Sequence, residues 1–96
     1  MADWKKAIFE LSDVRILLYL REKGKTRYSE LLASVVESRS TLATSLLDLQ
    51  NMGFVKRQVK STRPVQTAYV LTGKGNQTIT LLVKIKEIIG ARADGQ

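Results

Sequence analysis

Apolar positions recur at helical spacing along most of the chain and at alternate positions over one short region. Leu42, Leu46 and Leu49 stand at i, i+4, i+7 and predict one buried helix face within Ser38–Met52. Ser38 is placed to cap the start of that helix, and Gly53 to end it. The opposite face carries Ser40, Thr44 and Asn51 beside Ala43 and Leu47, with no acid before Asp48. Upstream, Trp4, Ile8 and Leu11, then Val14, Leu17 and Leu18, follow the same periodicity. They fit one helix running to Lys23, or two with Ser12-Asp13 capping the second; Gly24 stops it. After the short β-prone link Thr26-Arg27-Tyr28, Ser29 is placed to cap a helix from Glu30 to about Val36, with Leu31, Leu32 and Val35 turned inward.

Beyond Gly53 the period changes from 3.6 to 2. Val55, Arg57 and Val59 alternate with Lys56, Gln58 and Lys60; Val65, Thr67, Tyr69 and Leu71 alternate with Gln66, Ala68 and Val70. Ser61-Thr62-Arg63-Pro64, which holds the only proline, forms a polar turn between two strands. Thr72 then caps a last helix reaching about Ala91. Its Ile79, Leu81, Leu82, Val83, Ile85, Ile88 and Ile89 cover an arc of about 220°, wider than docking on a single core requires. That excess calls for a second partner, most simply another copy of the chain, with Trp4, Ile8, Ile79, Leu82, Val83, Ile85 and Ile89 as interface candidates.

The expected fold is α+β and mainly α: a winged helix-turn-helix with a three-helix core, a two-stranded wing and a C-terminal dimerisation helix. Residues 1–96 form a single domain. Its parts are an N-terminal helix or extension at 1–11, the helix-turn-helix at 29–53, the wing hairpin at 54–71, the last helix at 72–91 and a flexible tail at 92–96.

Composition narrows the chemistry. The 96 residues include no cysteine and no histidine, which excludes disulfides, thiolate catalysis, Cys/His zinc sites and Ser-His-Asp triads. No acidic pair has the spacing of a metal site, and Gly73-Lys74-Gly75 lacks the spacing of a phosphate-binding loop. Neither an enzyme nor a cofactor is expected. No apolar run approaches the roughly 20 residues of a membrane span, and the N-terminus lacks a secretory apolar region, so a cytoplasmic protein is expected.

The net charge of +7 is unevenly placed. Residues 1–48 hold eight basic and seven acidic residues, while 49–96 hold eight basic and two acidic, with no acid from Gln50 to Lys86. A one-sided cationic region of this kind suits a polyanion, because neutralising phosphates releases counterions. The plainer alternative is solubility alone.

Specific stretches resemble one family. Gly24-Lys25-Thr26-Arg27-Tyr28-Ser29-Glu30-Leu31 resembles the entry to the second helix of HxlR-type winged-helix regulators. Leu42, Leu46 and Leu49 followed by Gly53-Phe54-Val55 and Arg57 are similar to their recognition helix and first wing strand. Pro64 and Tyr69-Val70-Leu71-Thr72, then Gly75, resemble the second wing strand and the start of the last helix, a pattern shared with MarR-type regulators. The resemblance spans roughly residues 12–90. It implies a prokaryotic homodimer on double-stranded DNA, joined through terminal helices, with its recognition helix in the major groove and its wing on the backbone or minor groove. Some HxlR-type members sense through an N-terminal cysteine; with none here, thiol sensing is excluded. No residue pattern names a small-molecule effector.

On this reading Ser38, Arg39, Ser40, Thr41, Ala43 and Thr44 meet base edges. Arg39 is the long bidentate donor for guanine, and Ala43 an apolar contact for a thymine methyl. For Ser40 and Thr41 a purely capping role stays open. Lys56, Lys60, Thr62 and Arg63 belong to the wing, with Arg63 at its tip. Lys25, Arg27 and Ser29 are candidates to clamp a phosphate ahead of the second helix. Leu47 has no evident part in reading DNA. Competing readings are a protein-interaction winged helix, which would bury Leu47 in a partner, and an abundant chromatin-type binder without sequence preference. RNA or single-strand binding is disfavoured, because Phe54 and Tyr69, the aromatics of the basic half, look structural.

Overall fold

The computed structural model describes residues 4–90, with side chains from Ala7 onward. The tail at 92–96, Ala91 and the side chain of Trp4 lie outside the described residues. Among the described residues, five helices and three strands follow in the order α1 (Trp4–Glu10), α2 (Ser12–Lys23), β1 (Thr26–Arg27), α3 (Tyr28–Ser34), α4 (Arg39–Asn51), β2 (Val55–Lys60), β3 (Gln66–Leu71) and α5 (Gly73–Gly90).

The chain between Trp4 and Lys23 is two helices. They break at Leu11, whose extended backbone (φ −62°, ψ 136°) interrupts the helical ladder. Ser12 does not cap α2; its Oγ accepts instead from the buried Ser45 hydroxyl of α4 at 3.0 Å. Ser29 does not cap α3 either. Thr26 and Arg27 pair with Tyr69 and Ala68 of β3, so the helix starts directly after the strand and Ser29 falls inside its first turn.

The wing is correspondingly larger than a hairpin. β1 joins β2 and β3 in a three-stranded antiparallel sheet of order β1-β3-β2. The β2–β3 register runs from Val55 opposite Leu71 to Lys60 opposite Gln66. Because strand side chains alternate, cross-strand partners share a face. One face begins on the core with Val55, Leu71, Tyr69 and Thr26; the other carries Lys56, Gln58, Lys60, Gln66, Ala68 and Arg27.

Among the described residues the core is a single cluster. Ile16, Leu17 and Leu20 of α2, Leu31 of α3, and Leu42, Leu46 and Leu49 of α4 close on Val55, Tyr69 and Ile79. At about 25 cal/mol per Å² of apolar area removed from water, these contacts are the main force fixing the three helices. Ile79 is fully buried there, which removes it from the dimer-interface candidates: its arc on α5 faces the chain's own core. Leu82 and Ile8 also pack against this core, each partly buried.

Candidate nucleic-acid interface

α4 is held at both ends by its own sequence. Ser38 Oγ accepts from the Thr41 N–H at 3.3 Å and lies 3.2 Å from Ser40 Oγ, satisfying one of the donors left unpaired at a helix start. At the other end Gly53 takes φ +78°, a conformation that favours glycine. Its N–H donates to Gln50 O at 3.0 Å and the Phe54 N–H to Leu49 O at 2.9 Å, the paired bonds of a Schellman cap.

The following junction locks α5 to this end. Thr72 Oγ1 donates to Gly53 O at 2.5 Å and accepts from the Gly75 N–H at 3.0 Å, while the Thr72 N–H donates to Phe54 O at 3.0 Å. Lys74 Nζ donates to Met52 O at 2.9 Å and sits 5.4 Å above the Phe54 ring. One cation of the acid-free stretch is therefore spent on the C-terminus of α4, where a positive charge suits the exposed carbonyls. Gly75 lies so close that a Cβ there would stand 2.0 Å from the Phe54 carbonyl oxygen. This contact accounts physically for a glycine three residues after Thr72.

With Leu42, Ser45, Leu46 and Leu49 buried, α4 turns Arg39, Ser40, Ala43, Thr44, Leu47, Asp48 and Asn51 to solvent. The outward face is thus the one read from periodicity. Ser38 and Thr41 are exposed at its edge and line a groove of about 380 Å³ shared with Ser12 and Arg15 of α2.

The wing sheet supplies the charge. Lys25, Arg27 and Lys60, with Gln58, Gln66 and Ala68 of the sheet's outer face and Val59 at its edge, line a groove of about 550 Å³. The register places Lys56 on this same face, one pleat from Gln58. Strand pairing is what gathers Arg27 from the chain before α3 with Lys60 from the far end of β2. Ser29 lies elsewhere. With Arg27, Tyr28 and Arg57 it lines a second groove, of about 520 Å³. Lys25, Arg27 and Ser29 thus do not converge on one point; Arg27 stands between two grooves. Thr62 Oγ1 donates to Pro64 O at 2.7 Å, tying the wing turn, and Arg63 is exposed beside it. Arg57, Gln58 and Gln66 are among the groove residues outside the predicted site; strand alternation carried the signal, but only the β1–β3 pairing brings Arg27 beside them.

On α2, Tyr19 donates a short hydrogen bond from its hydroxyl to the Glu30 carboxylate of α3. That bond, together with desolvation, raises the phenol above its usual pKa.

A capped recognition-type helix behind a shorter helix, followed by a basic three-stranded wing, defines a winged helix-turn-helix domain. The chain belongs to the HxlR-like helix-turn-helix family, whose model matches residues 11–95. Among solved structures it is similar to ytfH from Salmonella typhimurium, described as a candidate transcriptional regulator. The two share 27% identity over 91% of this chain and 80% of that one, with a TM-score of 0.72. It is similar to the redox regulator HypR in its oxidized form, at 26% identity over 85% of this chain and 91% of that one, TM-score 0.66. In fold it matches a transcriptional regulator homologue from Pyrococcus horikoshii OT3, at 18% identity over 80% of this chain and 78% of that one, TM-score 0.74. No curated protein matches the chain. Its class is that of winged-helix, DNA-binding transcription regulators.

Proposed function

We propose that the chain binds double-stranded DNA as a homodimer, with the outward face of α4 in the major groove and the wing along the backbone. The observation that carries this reading is the groove where Lys25, Arg27 and Lys60 converge with no acid among its lining residues. Ammonium and guanidinium groups gathered along the sheet suit phosphates, while the short hydroxyl side chains of α4 let base edges approach closely. Arg39, in the first turn of α4, is the group with the reach and geometry to read guanine. Ser40, Ala43 and Thr44 lie on the same outward face.

The homodimer is supported by α5. Leu81 (61% exposed), Ile85 (41%) and Ile88 (74%) stand at i, i+4, i+7 on the side turned away from the core. Such a stripe is costly in water and fits another copy. The interface set is accordingly Leu81, Ile85 and Ile88, flanked by the partly exposed Val83 and Ile89, rather than Ile79 and Leu82. Ile88→Lys is expected to convert the dimer to monomer in sedimentation equilibrium.

The deciding experiment is duplex affinity against salt. Log K is expected to fall linearly with log salt, by about 0.9 per phosphate neutralised. Lys60→Ala should weaken all duplexes alike and reduce that slope by roughly one contact, whereas Arg39→Ala should relax sequence preference. An affinity indifferent to salt between dilute and physiological buffer overturns the proposal.

A further inference from the structure

Leu47 has no part in the reading so far. It is 58% exposed in the third turn of α4. At 3.6 residues per turn it lies about 20° from Ser40 and about 40° from Ala43 around the helix axis, with Leu42 and Leu49 on the far side. It therefore occupies the middle of the outward face, and it projects beyond the serine, alanine and threonine around it. Asp48, the acid on that face, stands about 80° from Ser40, towards the rim.

The groups available to meet such a side chain are few. Base pairs present donors, acceptors and one apolar group in the major groove, the thymine C5-methyl. A leucine makes no hydrogen bond, so the thymine methyl is the base-edge group it can bury. Ala43, one turn earlier, stands about 6 Å away along the axis, a separation of roughly two base-pair steps. The two side chains form an apolar ridge through a face otherwise lined with hydroxyls and amides. The cationic wing groove favours a duplex as the occupant of this ridge rather than an apolar protein partner.

We infer that Leu47, together with Ala43, reads thymine methyl groups, so that preferred sites carry thymines opposite the second and third turns of α4. The inference rests on the DNA-binding reading above and names the base chemistry which that face selects.

The test uses a duplex selected by the wild-type protein from a random pool. Each thymine is replaced in turn by deoxyuridine, which removes only the C5-methyl. Wild type is expected to lose about fourfold in affinity at one or two positions, the equivalent of one buried methyl group. Leu47→Ala, a change at a solvent-facing position, should keep the wild-type circular dichroism and dimer mass. It should bind the thymine duplex about fourfold more weakly and no longer distinguish thymine from uracil at one of those positions. Wild-type indifference to every replacement, or a thymine preference intact in Leu47→Ala, overturns the inference while duplex binding stands. A change of dimer mass in Leu47→Ala assigns the residue to a second copy and also overturns it. Absence of any selected duplex overturns the DNA reading itself, a distinct result seen before any variant is made.

Discussion

Replacing Gly75 by alanine probes the junction that sets α5 against α4. A Cβ at this position would lie 2.0 Å from the Phe54 carbonyl oxygen, 2.8 Å from its carbon and 3.0 Å from its Cα, all backbone atoms. No rotamer change relieves the clash, so α5 has to retreat by about 1.4 Å to reach ordinary contact at 3.4 Å. Such a shift breaks bonds that now measure 2.5 Å (Thr72 to Gly53), 3.0 Å (Thr72 to Phe54) and 2.9 Å (Lys74 to Met52). At about 1 kcal/mol each they total roughly 3 kcal/mol. Alanine returns about 1 kcal/mol through helix propensity, and residual overpacking costs about 1–2 kcal/mol. The expected net destabilisation is roughly 3–4 kcal/mol, a fall in Tm of about 12–32 °C for a domain of this size. Urea and thermal unfolding at matched protein concentration measure it, since association shifts the midpoint of an oligomer. Gly73→Ala is the control: nothing lies within 4 Å of its added Cβ, and it should be neutral or slightly stabilising. A Gly75→Ala protein as stable as Gly73→Ala would refute the reasoning.

Three further predictions follow from local geometry. Ser38→Ala removes the α4 cap and should cost about 1 kcal/mol in urea denaturation; an unchanged midpoint would show that the hydroxyl does not cap. Lys74→Met should lower Tm through loss of the bond to Met52 yet leave the salt slope of duplex binding unchanged, the reverse of Lys60→Ala; a reduced slope would make Lys74 a phosphate contact. Tyr19 has a raised folded-state pKa, so its protonated form is favoured on folding, and that stability is present below the usual value of 10.0 and lost as pH rises past the folded pKa. The advantage of wild type over Tyr19→Phe should therefore shrink as pH rises above 10.0, and an advantage that grew there would contradict the assignment.

Periodicity was enough to place the helical segments and the hairpin along the chain, and to tell the buried face of α4 from its outward face, but not to divide residues 4–23 into two helices at Leu11. Burial of a leucine row every 3.6 residues is a local constraint, and it reads directly in Leu42, Leu46 and Leu49. The Ser38 cap, the Gly53 stop and the Thr72 cap were equally legible, because each acts within one turn of its own residue. Other features depend on partners distant in the chain. Thr26 and Arg27 become a strand only because β3 offers them an edge, and that pairing starts α3 early and brings Arg27 to Lys60. Ser12 looked like a cap but bonds to Ser45, a residue of another helix. Ile79 looked like part of a dimer face because a helical wheel gives the width of an apolar arc, not which side the core occupies. Lys74 counted as one more cation until folding set it beside the Met52 carbonyl. Local sequence determines which backbone conformations and which amphipathic faces are favourable; which face meets which, and which charge remains for a ligand, depends on how separated segments share one core.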